Sequence, residues 1–182
     1  MKATGIVRRI DDLGRVVVPK EIRRNLRIRE CDPLEIFTYR NVEIIFKKYS
    51  PIGELREFAG VYAESIAKTS GALVCVTDCD HVIAASGKGK RDYEGKPISR
   101  QMSDLIGERS RRFAAKNDQE FLKITLDDAR EYASQAIAPI VCQGDAIGAV
   151  VLCSLDESKS NKDTEEMLTM TAADFFGRQM EQ

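Results

Sequence analysis

Five arginines near the N-terminus, Arg8, Arg9, Arg15, Arg23 and Arg24, have the type and spacing to do chemistry. A guanidinium stays charged at physiological pH and pairs bidentately with a phosphate or with guanine O6 and N7. They stand in a basic stretch. Residues 1–48 carry twelve Lys or Arg against seven Asp or Glu, a net +5, which leaves the rest of the chain with −6 of the overall −1. Such asymmetry points to one part that meets a polyanion and one that does not. The bland alternative is a solvated face balanced by Asp11, Asp12 and Glu21. Arg27 and Arg29 fit a structural role as well as a contacting one.

The other reactive side chains form no set. Five cysteines (Cys31, Cys75, Cys79, Cys142, Cys153) are an odd number, and three lie within apolar runs, which reads as buried free thiols in a reducing cytosol. Zinc needs four ligands, and Cys75 and Cys79 have only His81 and Cys142 to call on. His81 is the sole histidine, and no nucleophile elbow accompanies it. Gly87-Lys88-Gly89-Lys90-Arg91 could cradle a phosphate through backbone N–H groups, but it lacks P-loop spacing and reads as a loop. No metal, cofactor or catalytic set is expected.

The elements that must position the arginines follow from periodicity. Residues 4–10 and 15–18 are β-branched runs parted by a turn at Asp11-Asp12-Leu13-Gly14. Pro19 is expected at N1 of a short helix, KEIRRNL, with Ile22 and Leu26 inward and Lys20, Arg23, Arg24 and Arg27 on the rest of its surface. Strands at 34–39 and 43–48 complete a β-β-α-β-β order. So short a unit, with no disulfide or metal set, cannot bury enough surface alone, because domains below about 40–60 residues tend to need a staple or a second chain. Obligate dimerisation follows.

Residues 50–53 read as a linker. An amphipathic helix at 54–69 ends at Gly71. Strands are expected at 72–77, 81–86, 121–125, 134–142 and 146–154, with a helix at 99–112. A terminal helix at 161–180 is expected to start on a Ser160/Asp163 capping box, with Leu168, Ala172, Phe175, Phe176 and Met180 on one face. That stripe serves equally as core or as an oligomer seam. No signal-peptide pattern precedes the first motif, and the apolar runs near 136–142 and 146–153 are far short of a membrane span. A soluble, cytoplasmic, nucleoid-associated protein is expected.

The text TGIVRRIDDLGRVVVPKEIRRNLRIRECDPLEIF, residues 4–37, strongly resembles the AbrB-like swapped-hairpin family of bacterial transition-state regulators. In that family two chains exchange β-hairpins to form one DNA-binding dimer. The resemblance implies that Arg8, Arg9, Arg15, Arg23 and Arg24 face double-stranded DNA, gripping mainly the backbone and selecting sequence partly by shape and bendability. Two departures touch turn geometry only. Cys31 stands where the family often has glycine, and Arg40-Asn41-Val42 replaces an expected Asp-Gly turn. Residues 137–155 (IAPIVCQGDAIGAVVLCSL), followed by a long helix, resemble the end of a GAF domain. The whole chain resembles the regulators of spore development in that family, which carry a GAF-like domain behind the same module.

The expected fold class is therefore α+β. An intertwined swapped-hairpin β-barrel dimer module (1–49) joins through a linker (50–53) to a GAF-like domain flanked by amphipathic helices (54–182), for assembly or for sensing an unassigned small-molecule effector. A homotetramer of two DNA-binding dimers is the expected assembly. Two other functions compete. Antitoxins share the swapped-hairpin module but use a disordered tail to wrap the toxin. Some GAF-fold enzymes reduce free methionine sulfoxide, which requires an accessible, low-pKa thiolate.

Overall fold

The computed structural model describes residues 5–30, 32–39, 43–116, 118–128, 131–157 and 160–181. Cys31 and the turn at 40–42 lie outside the described residues. The chain divides into two compact units, Met1–Tyr49 and Ser50–Gln182.

In the first unit, helix α1 is Lys20–Asn25, with Pro19 at the N-cap (φ −59°, ψ 148°) and not at N1. Proline's fixed φ and missing N–H suit either position. Arg27, at φ 53°, turns the chain away after the helix. Leu26, expected inward, is 63% exposed, and α1 has no buried residue. Strands β1 (Leu34–Tyr39) and β2 (Glu43–Lys48) form an antiparallel pair, with Ile36 opposite Phe46 and Thr38 opposite Ile44. Segments 5–10 and 15–18, expected as strands, form no ladder in the structure. A strand exists only through its partner, and neither segment finds one among the described residues.

The second unit begins without a linker. Residues 50–53, expected to be one, belong to a capped helical turn, α2 (Pro51–Glu54), with Ile52 fully buried. Ser50 Oγ accepts from Gly53 N at 3.2 Å and donates to Asp78 Oδ2 at 3.0 Å. Helix α3 (Arg56–Ser70) ends at Gly71 in the left-handed conformation, φ 73°. The strands are β3 (Leu73–Asp78), β4 (Val82–Ser86), β5 (Arg112–Ala115), β6 (Ser134–Cys142) and β7 (Asp145–Ser154). They form one antiparallel sheet in the order β4-β3-β7-β6-β5. Helix α5 (Lys162–Gln179) joins α3 on one face, burying Ala59, Ala63, Ala172, Ala173 and Phe176 against Val74, Ile140 and Leu152. Helix α4 (Arg100–Gly107) covers the other face, with Ile98, Met102, Ile106, Ile124 and Tyr132 around Cys75 and Cys153.

Further expectations in this unit change. The helix expected at 99–112 stops at Gly107, Arg109 turns the chain at φ 55°, and β5 follows. Segment 121–125 contributes only a bridge from Thr125 to Ile98. A side chain replaces the missing ladder: Leu122 N donates to Gln135 Oε1 at 3.0 Å, and Gln135 Nε2 donates to Leu122 O at 2.9 Å. The terminal helix is capped by Asn161, whose side chain accepts from Thr164 N at 3.0 Å, and not by Ser160. Its buried face runs through Glu165, Thr169, Ala172, Ala173, Phe176 and Gly177, while Phe175 is 38% exposed.

Small residues on that face let α5 lie close to the sheet. A Cβ at Gly177 would stand 2.2 Å from Val141 O, a backbone atom that cannot step aside. Gly177→Ala is therefore expected to lower unfolding stability by about 1–3 kcal/mol, the usual cost of overpacking. Gly60 of α3 meets nothing within 4 Å, so Gly60→Ala is expected to move stability the other way, by up to about 1 kcal/mol. Urea denaturation of the two variants checks both signs.

Candidate nucleic-acid interface

The turn before Arg15 is built by one side chain. Asp11 Oδ1 accepts from Leu13 N at 3.1 Å and from Arg15 N at 2.7 Å, and Asp11 N donates to Arg15 O at 3.0 Å. Gly14 supplies the positive φ of 76° that the turn needs. The other carboxylate oxygen, Oδ2, accepts from Arg15 Nε at 3.0 Å. Chiefly through the Arg15 backbone N–H, these bonds hold the Asp11 carboxyl below the usual carboxylate range.

The five arginines are presented differently. Arg8 and Arg9 are exposed on the segment before the turn, and Arg24 is exposed on α1. Arg15 sits at the end of the turn, clamped by Asp11. Arg23 is half-buried: its Nη1 lies 3.9 Å from Glu30 Oε1, and its Nε is buried with no hydrogen-bond partner among the described residues. Consecutive helical residues point about 100° apart, so Arg23 and Arg24 cannot share one direction. In the sequence Asp11 stands only as a balancing charge, and Glu30 is not marked as a partner. Asp11 was legible in principle, because an Asp-x-x-Gly-Arg spacing lets a carboxylate close an Asx-type turn and meet the arginine beyond it.

The remaining candidates do not gather into a reactive centre. Cys75 and Cys153 are fully buried, and burial pushes both thiols up. Cys79 Sγ donates to Ala146 O at 3.4 Å. Cys142 is half-buried, and its thiol is also raised. Among the described residues no three His, Cys, Asp or Glu side chains are grouped to hold a metal ion. His81 is exposed at a bridge to Pro97. In the Gly-Lys loop, Gly87 serves packing: at φ 101°, a Cβ there would stand 2.4 Å from Ala72 O. Tyr93 is also interior to this unit, and its hydroxyl donates to Asp128 Oδ1 at 2.6 Å and meets the Tyr132 hydroxyl. Among the described residues no helix is long and apolar enough to cross a membrane.

Residues 54–181 match the family described as stage V sporulation protein T C-terminal, transcription factor. The chain is also 49% identical to stage V sporulation protein T of Bacillus subtilis (strain 168) over 182 residues, covering all of both chains. The chain belongs to the stage V sporulation protein T family of transcription factors. Its N-terminal part carries the second relationship expected from the sequence. The transition state regulatory protein AbrB of the same organism is 46% identical over 74 residues, 41% of this chain and 76% of that one.

Solved structures give the fold of the second unit. The GAF domain of the nutrient sensor CodY from Clostridium difficile superposes with a TM-score of 0.52 at 15% identity, covering 71% of this chain and 92% of that one. A type II free methionine-R-sulfoxide reductase from Thermoplasma acidophilum gives 0.51 at 17% identity, covering 69% and 94%. At such identities the likeness is one of fold alone. The second unit of this stage V sporulation protein T family member has a GAF fold, as expected.

Proposed function

We propose that this family member regulates sporulation genes by binding double-stranded DNA through a homodimer of its first unit, with Arg8, Arg9, Arg15, Arg23 and Arg24 toward the duplex. One observation carries the reading. The unit that holds the arginines leaves Ile36, Ile44 and Phe46 on one face of its hairpin, 62%, 59% and 48% exposed. A unit this small has no other core to spare, and a second copy supplies both the missing strand partners and the cover. Pairing then doubles the basic face.

The second unit, in this reading, governs assembly or senses an effector. The outer aromatics of α3 and α5 support assembly. Phe58 and Tyr62 stack on Phe175 at 5.7 and 5.1 Å, with Phe58 and Phe175 each 38% exposed. Joining two dimers there gives the tetramer. A buried core throughout Ser50–Gln182 speaks against an antitoxin's disordered tail. The burial of Cys75 and Cys153, with both thiols pushed up, speaks against a sulfoxide reductase at those positions, and the chain is read as a non-enzyme acting at the chromosome in the cytoplasm.

Fluorescence anisotropy of a labelled promoter fragment, titrated with full-length protein at several salt concentrations, tests this. With about six phosphates neutralised, log K against log salt is expected to slope near −5. A slope near zero, or no binding at low salt, overturns the reading.

A further inference from the structure

Asp11 divides its two carboxylate oxygens between two tasks. Oδ1 closes the turn through Leu13 N and Arg15 N, while Oδ2 accepts from the Arg15 side chain at Nε. An asparagine can keep the first task, since its carbonyl oxygen accepts, but its amide would set a donor against the Nε donor. Both side chains stand in solvent, 69% exposed for Arg15 and 41% for Asp11. An ion pair so exposed adds little to stability. Its consequence is the direction of the guanidinium and the charge beside it.

The nitrogen that Asp11 engages is Nε, and no Nη hydrogen bond from Arg15 to a described residue accompanies it. A guanidinium that reads guanine presents two N–H groups in a fixed fork to O6 and N7. An arginine with free choice takes the nearest phosphate instead, because phosphates line every sequence alike. A carboxylate at the guanidinium both limits that choice and repels the phosphate that would compete.

We propose that Asp11 is a selectivity residue of the DNA face: it holds Arg15 by Nε, directing the Nη edge toward base edges and opposing non-specific capture by phosphate. This rests on the reading of the first unit as a DNA-binding module. Asp11 acts through Arg15, so it is a positioning residue. Asp12 provides the control. It is the adjacent acid, exposed, and it makes no bond to Arg15. Neutralising it changes the charge equally without touching the clamp.

The test uses full-length protein and two DNAs: a genomic fragment selected by binding to the wild type, and poly(dA-dT), which offers no paired O6 and N7 acceptors. Asp11→Asn is expected to bind poly(dA-dT) several-fold more tightly and to lose about a hundredfold in the ratio of specific to non-specific affinity, about tenfold for each of the two bidentate contacts a dimer misplaces. Asp12→Asn is expected to strengthen both affinities and keep the ratio within about twofold, since a charge acting at a distance carries no sequence information. In an Arg15→Ala background, Asp11→Asn is expected to leave the ratio where Arg15→Ala alone puts it. An unchanged ratio in Asp11→Asn, or an equal fall in Asp12→Asn, overturns the proposal while leaving DNA binding in place. Wild-type protein that binds neither DNA overturns both.

Discussion

Replacing Arg8 and Arg24 together with alanine is expected to cut DNA affinity by about three powers of ten at 0.1 M salt and to flatten the salt dependence from near −5 to near −2. The two changes have one cause. Each guanidinium that neutralises a phosphate releases about one condensed counterion, which contributes close to tenfold at 0.1 M salt and nothing at 1 M. A dimer carries each substitution twice, so four contacts go at once. The lines for wild type and variant are therefore expected to converge near 1 M. Parallel lines would mean that these arginines act on something other than phosphate, and an unchanged line would remove them from the interface.

Arg8 and Arg24 suit this experiment because both are exposed and the structure shows neither in a salt bridge with a described residue. Exposed substitutions away from such contacts usually move stability by less than about 0.5 kcal/mol, so lost affinity is lost contact. Arg23 is a poorer choice taken alone. Its guanidinium reaches toward Glu30 from a half-buried position, so alanine there changes the surroundings of α1 as well as the charge.

The arginines were legible in the sequence because charge is a property of residue type, and their clustering survives any error in element boundaries. The hairpin β1–β2 was legible because β-branched and aromatic runs bounded it. What the sequence hid were contacts made by side chains in place of backbone. Segment 121–125 has the composition of a strand, yet the Gln135 amide takes both hydrogen bonds of Leu122 that a ladder would have used. Ser50-Pro51-Ile52-Gly53 has the composition of a linker, yet Ser50 caps a helical turn and Ile52 fills a core position, which only tertiary packing reveals. The face of α5 was legible in Ala172, Phe176 and Leu168, which lie in or against the core, but not in its small residues, for a related reason. Periodicity marks large apolar residues, whereas this helix is seated by Ala172, Ala173 and Gly177, whose small size matters more than their hydropathy.

Ile36→Asp and Ile44→Asp are each expected to abolish the dimer of the first unit and with it DNA binding, by at least two powers of ten. Residues directly opposed across β1 and β2 share a face, so Ile36, Phe46, Thr38 and Ile44 form one surface, while Glu35, Phe37, Tyr39, Glu43, Ile45 and Lys47 lie on the other. Burying an isoleucine stabilises by about 1.5–3 kcal/mol, and a two-fold interface counts it twice. A carboxylate at the same place must instead be desolvated without a partner, or keep the interface open. Sedimentation equilibrium of the full chain reads the assembly directly. If α3 and α5 also associate, the mass is expected to fall only to the species those helices hold, while DNA binding is still lost, because half a basic face remains on each separated unit. Glu43→Gln, on the opposite face of the same hairpin, is expected to change neither quantity. An Ile36→Asp protein with wild-type mass and wild-type affinity would mean that this face is not what joins the chains.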